Sequence, residues 1–527
     1  MHLLLLLGST LAFSLLSADV LATNVTSEAS VETQVDRVDG QFDIRGGELS
    51  GDGENLFQSF EAFGLEANQV ANFITPANVR NVLGRVTGGG ASRIDGSIVV
   101  TGSSADLFLM NPAGIVFGEN ARLDVAGDFT ATTASGIEFE DGWFNSAGVA
   151  NWTALVGAPI ALDFSGAAAG AIANFGELSV DRDANLNLFG GTVLNVGELS
   201  GGGVSVTAAN GGSTLHIAAA GNVLSLEVMA DRIGESRIEP IALPELLAGG
   251  EVTAASSLEI VNGVVRLAGA VVAAGDSVVT GALDVSGDSG GTAQVLGDRV
   301  MLAGANIDAS GASGGGAIYL GGEYRGGGTL PTAEFTEIDA GSSLDASALQ
   351  TGDGGEVIVW AEDTAVFLGE IAARGGALGG DGGLVETSGR GALAFGGGVD
   401  VGAAIGRAGS VLLDPENVTI SDAPAAISGG NETVNAASLE AITGEVTVEA
   451  TNDITLETDL NFSRGTGRIE FIADSDGVDG GSFVGYDGVT AHDIVAPGRN
   501  VSISGSSVTV GNIRTARLQL QIGRAHV

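Results

Sequence analysis

The chain has 527 residues, 65 of them Asp or Glu against 21 Lys or Arg, for a formal charge of −44. That balance excludes a basic nucleic-acid binder, and since every cation is an arginine, lysine-dependent phosphate loops, Schiff bases and general bases are excluded too. With 44% hydrophobic residues, 9 prolines, 86 glycines in no triplet period and no cysteine, the chain should fold, without disulfides or thiolate metal sites and without a collagen helix. At the start, Leu3 to Leu16 is apolar and Val20-Leu21-Ala22 is a small-residue cleavage site, so 1–22 reads as a secretory signal peptide cut after Ala22. The apolar run falls short of the ~20 residues a membrane span needs. A soluble, exported product, not an integral membrane protein, is expected.

Further along, Val70 to Leu83 alone has helix-compatible character, and Pro76 interrupts it. From residue 166 the dominant signal is repetition. Ile172-Ala173-Asn174-Phe175-Gly176-Glu177-Leu178-Ser179 recurs 21 residues later as Val193-Leu194-Asn195-Val196-Gly197-Glu198-Leu199-Ser200. Leu283-Asp284-Val285-Ser286-Gly287 recurs 24 residues later as Ile307-Asp308-Ala309-Ser310-Gly311, which also sets Leu296-Gly297 on Leu320-Gly321, and a looser copy starts at Leu344. Short apolar alternations such as Val204-Ser205-Val206 and Val357-Ile358-Val359 mark half-buried strands, and the Gly, Asn, Asp and Ser between them supply corners. A unit this short cannot bury its own apolar face, but it can when stacked on its neighbour. The fold class that follows is all-β: a right-handed, single-stranded parallel β-helix, with coils ~4.8 Å apart and an N-terminal cap over the open strand edge. A β-sandwich array is the competing architecture.

The chain offers little for catalysis. Apart from His2 and His526, the histidines are His216 and His492, each isolated in strand-like sequence, and no carboxylate pair stands out among the 65 acids. The turns Gly352-Asp353-Gly354-Gly355 and Gly379-Gly380-Asp381-Gly382-Gly383 are oxygen-rich but lack a calcium-ligand spacing. No enzyme, cofactor or metal is expected. Gln521 to Val527 resembles the translation of a sequencing adapter, so the natural chain is expected to continue past Leu520.

Between Asn55 and Ala134 several blocks occur in order: Asn55-Leu56-Phe57-Gln58-Ser59-Phe60, Asn81-Val82-Leu83-Gly84-Arg85-Val86-Thr87-Gly88-Gly89, Ser92-Arg93-Ile94-Asp95-Gly96, and Leu107 to Gly118 containing Asn111-Pro112-Ala113-Gly114-Ile115. These resemble the haemagglutination-activity, or two-partner-secretion, domain of filamentous-haemagglutinin-like exoproteins. Segments such as Gly315 to Gly322, Gly383 to Gly389 and Gly409 to Ile420 look like the large cyanobacterial-type members. The family's hallmark turn is Asn-Pro-Asn-Gly-Ile, so Ala113 departs from it. The resemblance implies export from a Gram-negative-type cell through a partner outer-membrane β-barrel with periplasmic receptor domains. It implies that Asn111, Pro112, Ala113, Gly114 and Ile115 form the secretion motif, supported by Asn55, Leu56, Phe57, Phe60, Arg85 and Gly88. The expected organisation is a signal peptide (1–22), a secretion domain (23–165), degenerate coils (166–520) and the tail (521–527). An adhesin-like product that presents its faces to an unknown cell-surface glycan or protein is the first reading. A stalk for a toxin domain is the alternative, and a β-helical polysaccharide-active enzyme comes third.

Overall fold

The computed structural model describes residues 21–523, apart from residues 23, 30, 149–150, 165–168, 219–222, 229–237, 248–257, 262–263, 268, 429–430, 479 and 487. The first 20 residues of the expected signal peptide therefore lie outside the described residues. Leu21 and Ala22 pair in parallel with Ala91 and Ser92, so cleavage after Ala22 would strip both from that sheet edge. At the other end, Gln521 and Ile522 extend the last strand, opposite Ser504 and Gly505.

Through the middle of the chain, up to Gly398–Asp400, each coil contributes one short strand to each of three parallel sheets. In one coil these are Arg299–Leu302, Asn306–Asp308 and Ala317–Leu320. The next coil supplies Phe335–Ile338, Ser343–Asp345 and Glu356–Ala361, which pair as Val300 with Thr336, Ile307 with Leu344 and Ile318 with Val357. The strand period of two turns alternate residues inward, so Val300, Leu302, Ile307, Ile318 and Leu320 are 0–1% exposed while Tyr319 points outward. Each such aliphatic contributes roughly 1.5–3 kcal/mol on burial, which gives the column one continuous core. The chain is thus a parallel β-helix.

Sheet one is 16-stranded and runs from Leu21–Ala22 to Ser507–Thr509. Sheet two runs from Asn55–Ala62 to Ile513–Ile522. The third side is divided between a 5-stranded sheet at the front and a 7-stranded sheet from Glu177–Ser179 to Gly398–Asp400. The N-terminal edge is closed by antiparallel pairs: Thr33–Val38 with Gln41–Gly46, and Glu48–Leu49 with Leu56 and Phe57. A cap of this kind covers the row of free N–H and C=O groups that an open column would present.

The sequence repeats stack directly on one another. Ile172 pairs with Val193 and Leu283 with Ile307, at the offsets of 21 and 24 read from the sequence. One correction follows in the same coil: Leu320 lies opposite Val295, not Leu296, because sheet two is entered one residue later, with Thr292 opposite Ala317. Coil length is also less constant than the repeats suggest. Ile307 pairs with Leu344, an offset of 344 − 307 = 37, because an excursion over residues 321–334 leaves the coil and returns. The stretch expected to be helix-compatible, Val70 to Leu83, is instead the strand Val70–Ile74, a turn closed by the Val79 N–H on the Pro76 carbonyl, and the start of the strand Asn81–Val86. Of the α-helices among the described residues, Leu243–Leu247 lies in an excursion, whereas Ala436–Ala441 lies on the third side of the column beyond Gly398–Asp400 and buries Ala436 and Leu439 in its core. Neither is long and apolar enough to cross a membrane.

Two further apolar clusters lie outside the column. On sheet two, Phe57, Leu83, Phe108 and Met110 are covered by an antiparallel sheet built from Gly136–Phe139, Gly142–Asn145, Ala161–Phe164, Ser213–Ile217 and Val223–Val228. On sheet one, Ala113, Val116, Ala171 and Leu194 are covered by residues from 238 to 272, among them Leu246, Leu247 and Leu258.

Candidate functional site

The residues Asn111 to Ile115 turn the chain from sheet two into sheet one. Asn111 is fully buried and holds the turn from both sides. Its Oδ1 accepts the Ala113 N–H at 3.0 Å, and its Nδ2 donates to the Gly90 carbonyl at 3.0 Å and to Ser92 Oγ at 2.9 Å. Pro112 supplies a fixed φ, and Gly114 adopts φ +127°, which L side chains rarely reach. Ile115 then enters sheet one opposite Ser92 and Ile172.

All five residues are buried. Ile115 is buried in the column core, and Ala113 and Gly114 are covered by the segment 238–247: the Ile241 N–H donates to the Ala113 carbonyl at 2.9 Å, and the Leu246 side chain lies over Gly114. The methyl of Ala113 joins the apolar cluster beneath this segment. An asparagine in its place would bring a polar amide under an apolar cover and need new hydrogen-bond partners there.

The second set of residues meets on the outside of sheet two. Asn55 Nδ2 donates to the carbonyls of Leu155 and Gly157 at 2.9 and 2.8 Å, and Asn55 Oδ1 accepts from Asn81 at 2.7 Å. Phe57 packs on Phe139, Phe144 and Trp152 with ring centroids 5.1–5.9 Å apart. Arg85, 1% exposed, joins three elements: Nε donates to Ser59 Oγ at 2.8 Å, Nη1 to the Asn145 carbonyl at 2.7 Å, and Nη2 pairs with Glu28 at 3.3 Å. Its guanidinium lies 4.7 Å from the centre of the Trp152 ring, and burial pulls its pKa down from the ordinary arginine value. Leu56 and Phe60 point the other way, into the core, and Gly88 is exposed at a turn. Asn55, Phe57 and Arg85 therefore clamp the 136–164 excursion to the column. The sequence reading missed their partners Glu28, Phe144 and Trp152, and quoted Asn81 in a matching block without pairing it to Asn55; it also missed Ile241 and Leu246 above the other turn. Only the two tryptophan-bearing stretches of this region, Trp143 and Trp152, carried a compositional hint, in a chain with 3 tryptophans.

Elsewhere, His216 lies 3.4 Å from Glu227 and His492 lies 3.7 Å from Asp459. In the glycine-rich turns, Asp353 accepts the Asp381 N–H at 2.7 Å and Asp381 accepts the Arg407 N–H at 2.8 Å. Those carboxylates tie successive coils together.

One acid cluster that the sequence did not single out lies under the 321–334 excursion. Arg325, at φ 57°, donates its backbone N–H to Glu386 at 2.8 Å, and its guanidinium reaches Glu449 at 2.9 Å and Asp414 at 3.7 Å. Glu386 is fully buried, and burial pushes its carboxyl up to about 7. A carboxyl whose folded pKa is raised favours folding below its unfolded value of 4.5, and this contribution is lost as pH rises through about 7. Glu386→Gln should therefore stabilise the C-terminal coils at pH 8, by roughly 3 kcal/mol if the whole shift is relieved, and have little effect near pH 4.5. Urea denaturation at the two pH values measures this. Equal effects at both would remove the assignment.

Residues 21–295 match the family model of the TPS secretion domain. The chain is similar to two solved structures. One is the HMW1 secretion domain from Haemophilus influenzae, at 17% identity and a TM-score of 0.49, covering 95% of this chain and 100% of that one. The other is a filamentous hemagglutinin secretion domain, at 14% identity and a TM-score of 0.29, covering 73% of this chain and 100% of that one. No curated protein matches the chain.

Proposed function

Given that the chain belongs to the TPS secretion domain family and is an exoprotein exported by two-partner secretion, we propose that it is a non-catalytic, adhesin-like rod delivered to the surface of a Gram-negative cell. A partner outer-membrane transporter, a β-barrel with periplasmic receptor domains, captures the leading segment, and the turn at Asn111 to Ile115 is the element it reads. The observation that carries this reading is the match over residues 21–295 to a secretion domain, on a chain whose sheets one and two continue past that match, to residues 509 and 522. Each coil stacks on the one before it, so folding beyond the membrane is favourable step by step and opposes backsliding without nucleotide hydrolysis. Once outside, the long sheet faces offer wide shallow surfaces suited to a glycan or a protein partner.

Deleting residues 35–150 tests the export role. The truncated chain should accumulate in the periplasm, and its normal appearance at the surface would overturn the assignment. The turn is tested separately by Asn111→Ala combined with Gly114→Val. This pair removes three side-chain hydrogen bonds and forces φ +127° on a β-branched residue, so secreted yield should fall about tenfold or more.

A further inference from the structure

We propose that residues 238–247 are a latch, which closes over the Asn111 to Ile115 turn after the transporter has read it and hides the turn in the finished rod. The proposal rests on the export reading above. It starts from a conflict between that role and the geometry: the turn is wholly buried, Asn111 and Ile115 by the column itself but Ala113 and Gly114 by a segment from more than a hundred residues further along the chain.

The cover is not part of any coil. Val206 and Thr207 in sheet two hand over to Val295 and Leu296 of the next coil, so the chain between them leaves the column and comes back. Within that excursion the helix Leu243–Leu247 spans five residues. A helix this short has no independent stability in water, so it forms by docking. Leu246 and Leu247, each 1% exposed, and the Ile241 N–H provide that docking. Glu245 faces solvent, and the contact with the turn is apolar apart from the one backbone hydrogen bond.

Order along the chain supplies the timing. Asn111 to Ile115 and the sheet-one strands Ala171–Asn174 and Thr192–Asn195 all precede residue 238, so passage from N- to C-terminus exposes a formed turn before its cover arrives. Ala113 completes the fit, since a methyl group suits a surface that is to be closed over by leucines.

Because the protein has no cysteine, Ala113→Cys introduces a unique thiol at the turn. In the folded full chain this thiol should react slowly with maleimide. Adding Leu246→Asp should speed the reaction about tenfold or more, while a core control, Ala309→Cys, stays protected in the same background. Ile241→Pro removes the hydrogen bond to Ala113 together with a side chain at the edge of the cluster, and serves as a second variant that leaves Leu246 and Leu247 in place. The folded latch variants should bind the purified periplasmic receptor domains of the cognate transporter, which the folded wild-type chain should not. Unchanged labelling in both variants overturns the latch. Faster labelling without any gain in binding overturns the turn as the element that is read, and equal binding by the wild-type chain overturns its concealment.

Discussion

Arg85→Ala is expected to unfold the front of the rod and to abolish accumulation of the secreted protein. The substitution leaves the Glu28 carboxylate without its arginine, the Asn145 carbonyl and Ser59 without their donor, and a void beneath Trp152. Removing one partner of a fully buried ion pair typically costs about 3–5 kcal/mol; Glu28 keeps 28% exposure, so its share falls below that range, and the rest of the loss comes from the hydrogen bonds by which the same side chain fastens the 136–164 excursion. Arg85→Lys should recover only part of the loss, since one ammonium cannot reproduce a planar fork that bonds in three directions. Limited proteolysis of the secretion domain is the measurement. Rapid cleavage between residues 136 and 164 is expected in the alanine variant, and wild-type resistance would show that the clamp is dispensable.

A comparable loss is expected from Gly355→Val, at the corner where each coil enters sheet two. Glycines stack there from coil to coil: starting from Gly202, a Cβ at Gly291, Gly316, Gly355, Gly383 or Gly409 would collide with the carbonyl of the glycine before it in that series. Those carbonyls are not idle. The Gly316 carbonyl accepts the Glu356 N–H at 3.0 Å, and the Gly355 carbonyl accepts the Leu384 N–H at 3.0 Å. A valine at 355 must push two coils apart and break this ladder, at a cost of about 3 kcal/mol or more. Gly314→Val is the matched control, because the space around a Cβ at 314 is open to 4 Å, and a change within about 0.5 kcal/mol is expected. Hydrogen exchange should show lost protection in the strands at 317–320, 356–361 and 384–389 for the first variant only.

The column was legible in the sequence because each strand needs only its own alternation and a neighbour of the same kind. Leu283 and Ile307 announce their pairing by similarity, as do Ile172 and Val193. The excursions were not legible. Residues 321–334 add length without altering the strands on either side, so the offset of 24 turns into 37, and their glycines and Pro331 mark a loop without distinguishing it from the glycine-rich corners elsewhere. The secretion-domain residues were found as types and positions, but their physical work was hidden. Asn55 and Arg85 act on Leu155, Gly157 and Asn145, partners 60 residues or more away that no local pattern connects to them. The burial of Asn111 to Ile115 was hidden for the same reason, because the leucines that cover the turn lie in an unremarkable apolar stretch.

The stacked glycine corner also sets how such a rod can change length. Because the corner fixes where one turn of the chain must meet the next, a complete turn that carries its own glycine can be spliced in or removed and the two flanking turns will still meet in register. An insertion of arbitrary length has to leave through a loop instead, as residues 321–334 do. The rod is therefore built to grow and shrink by whole turns, with loops absorbing every remainder.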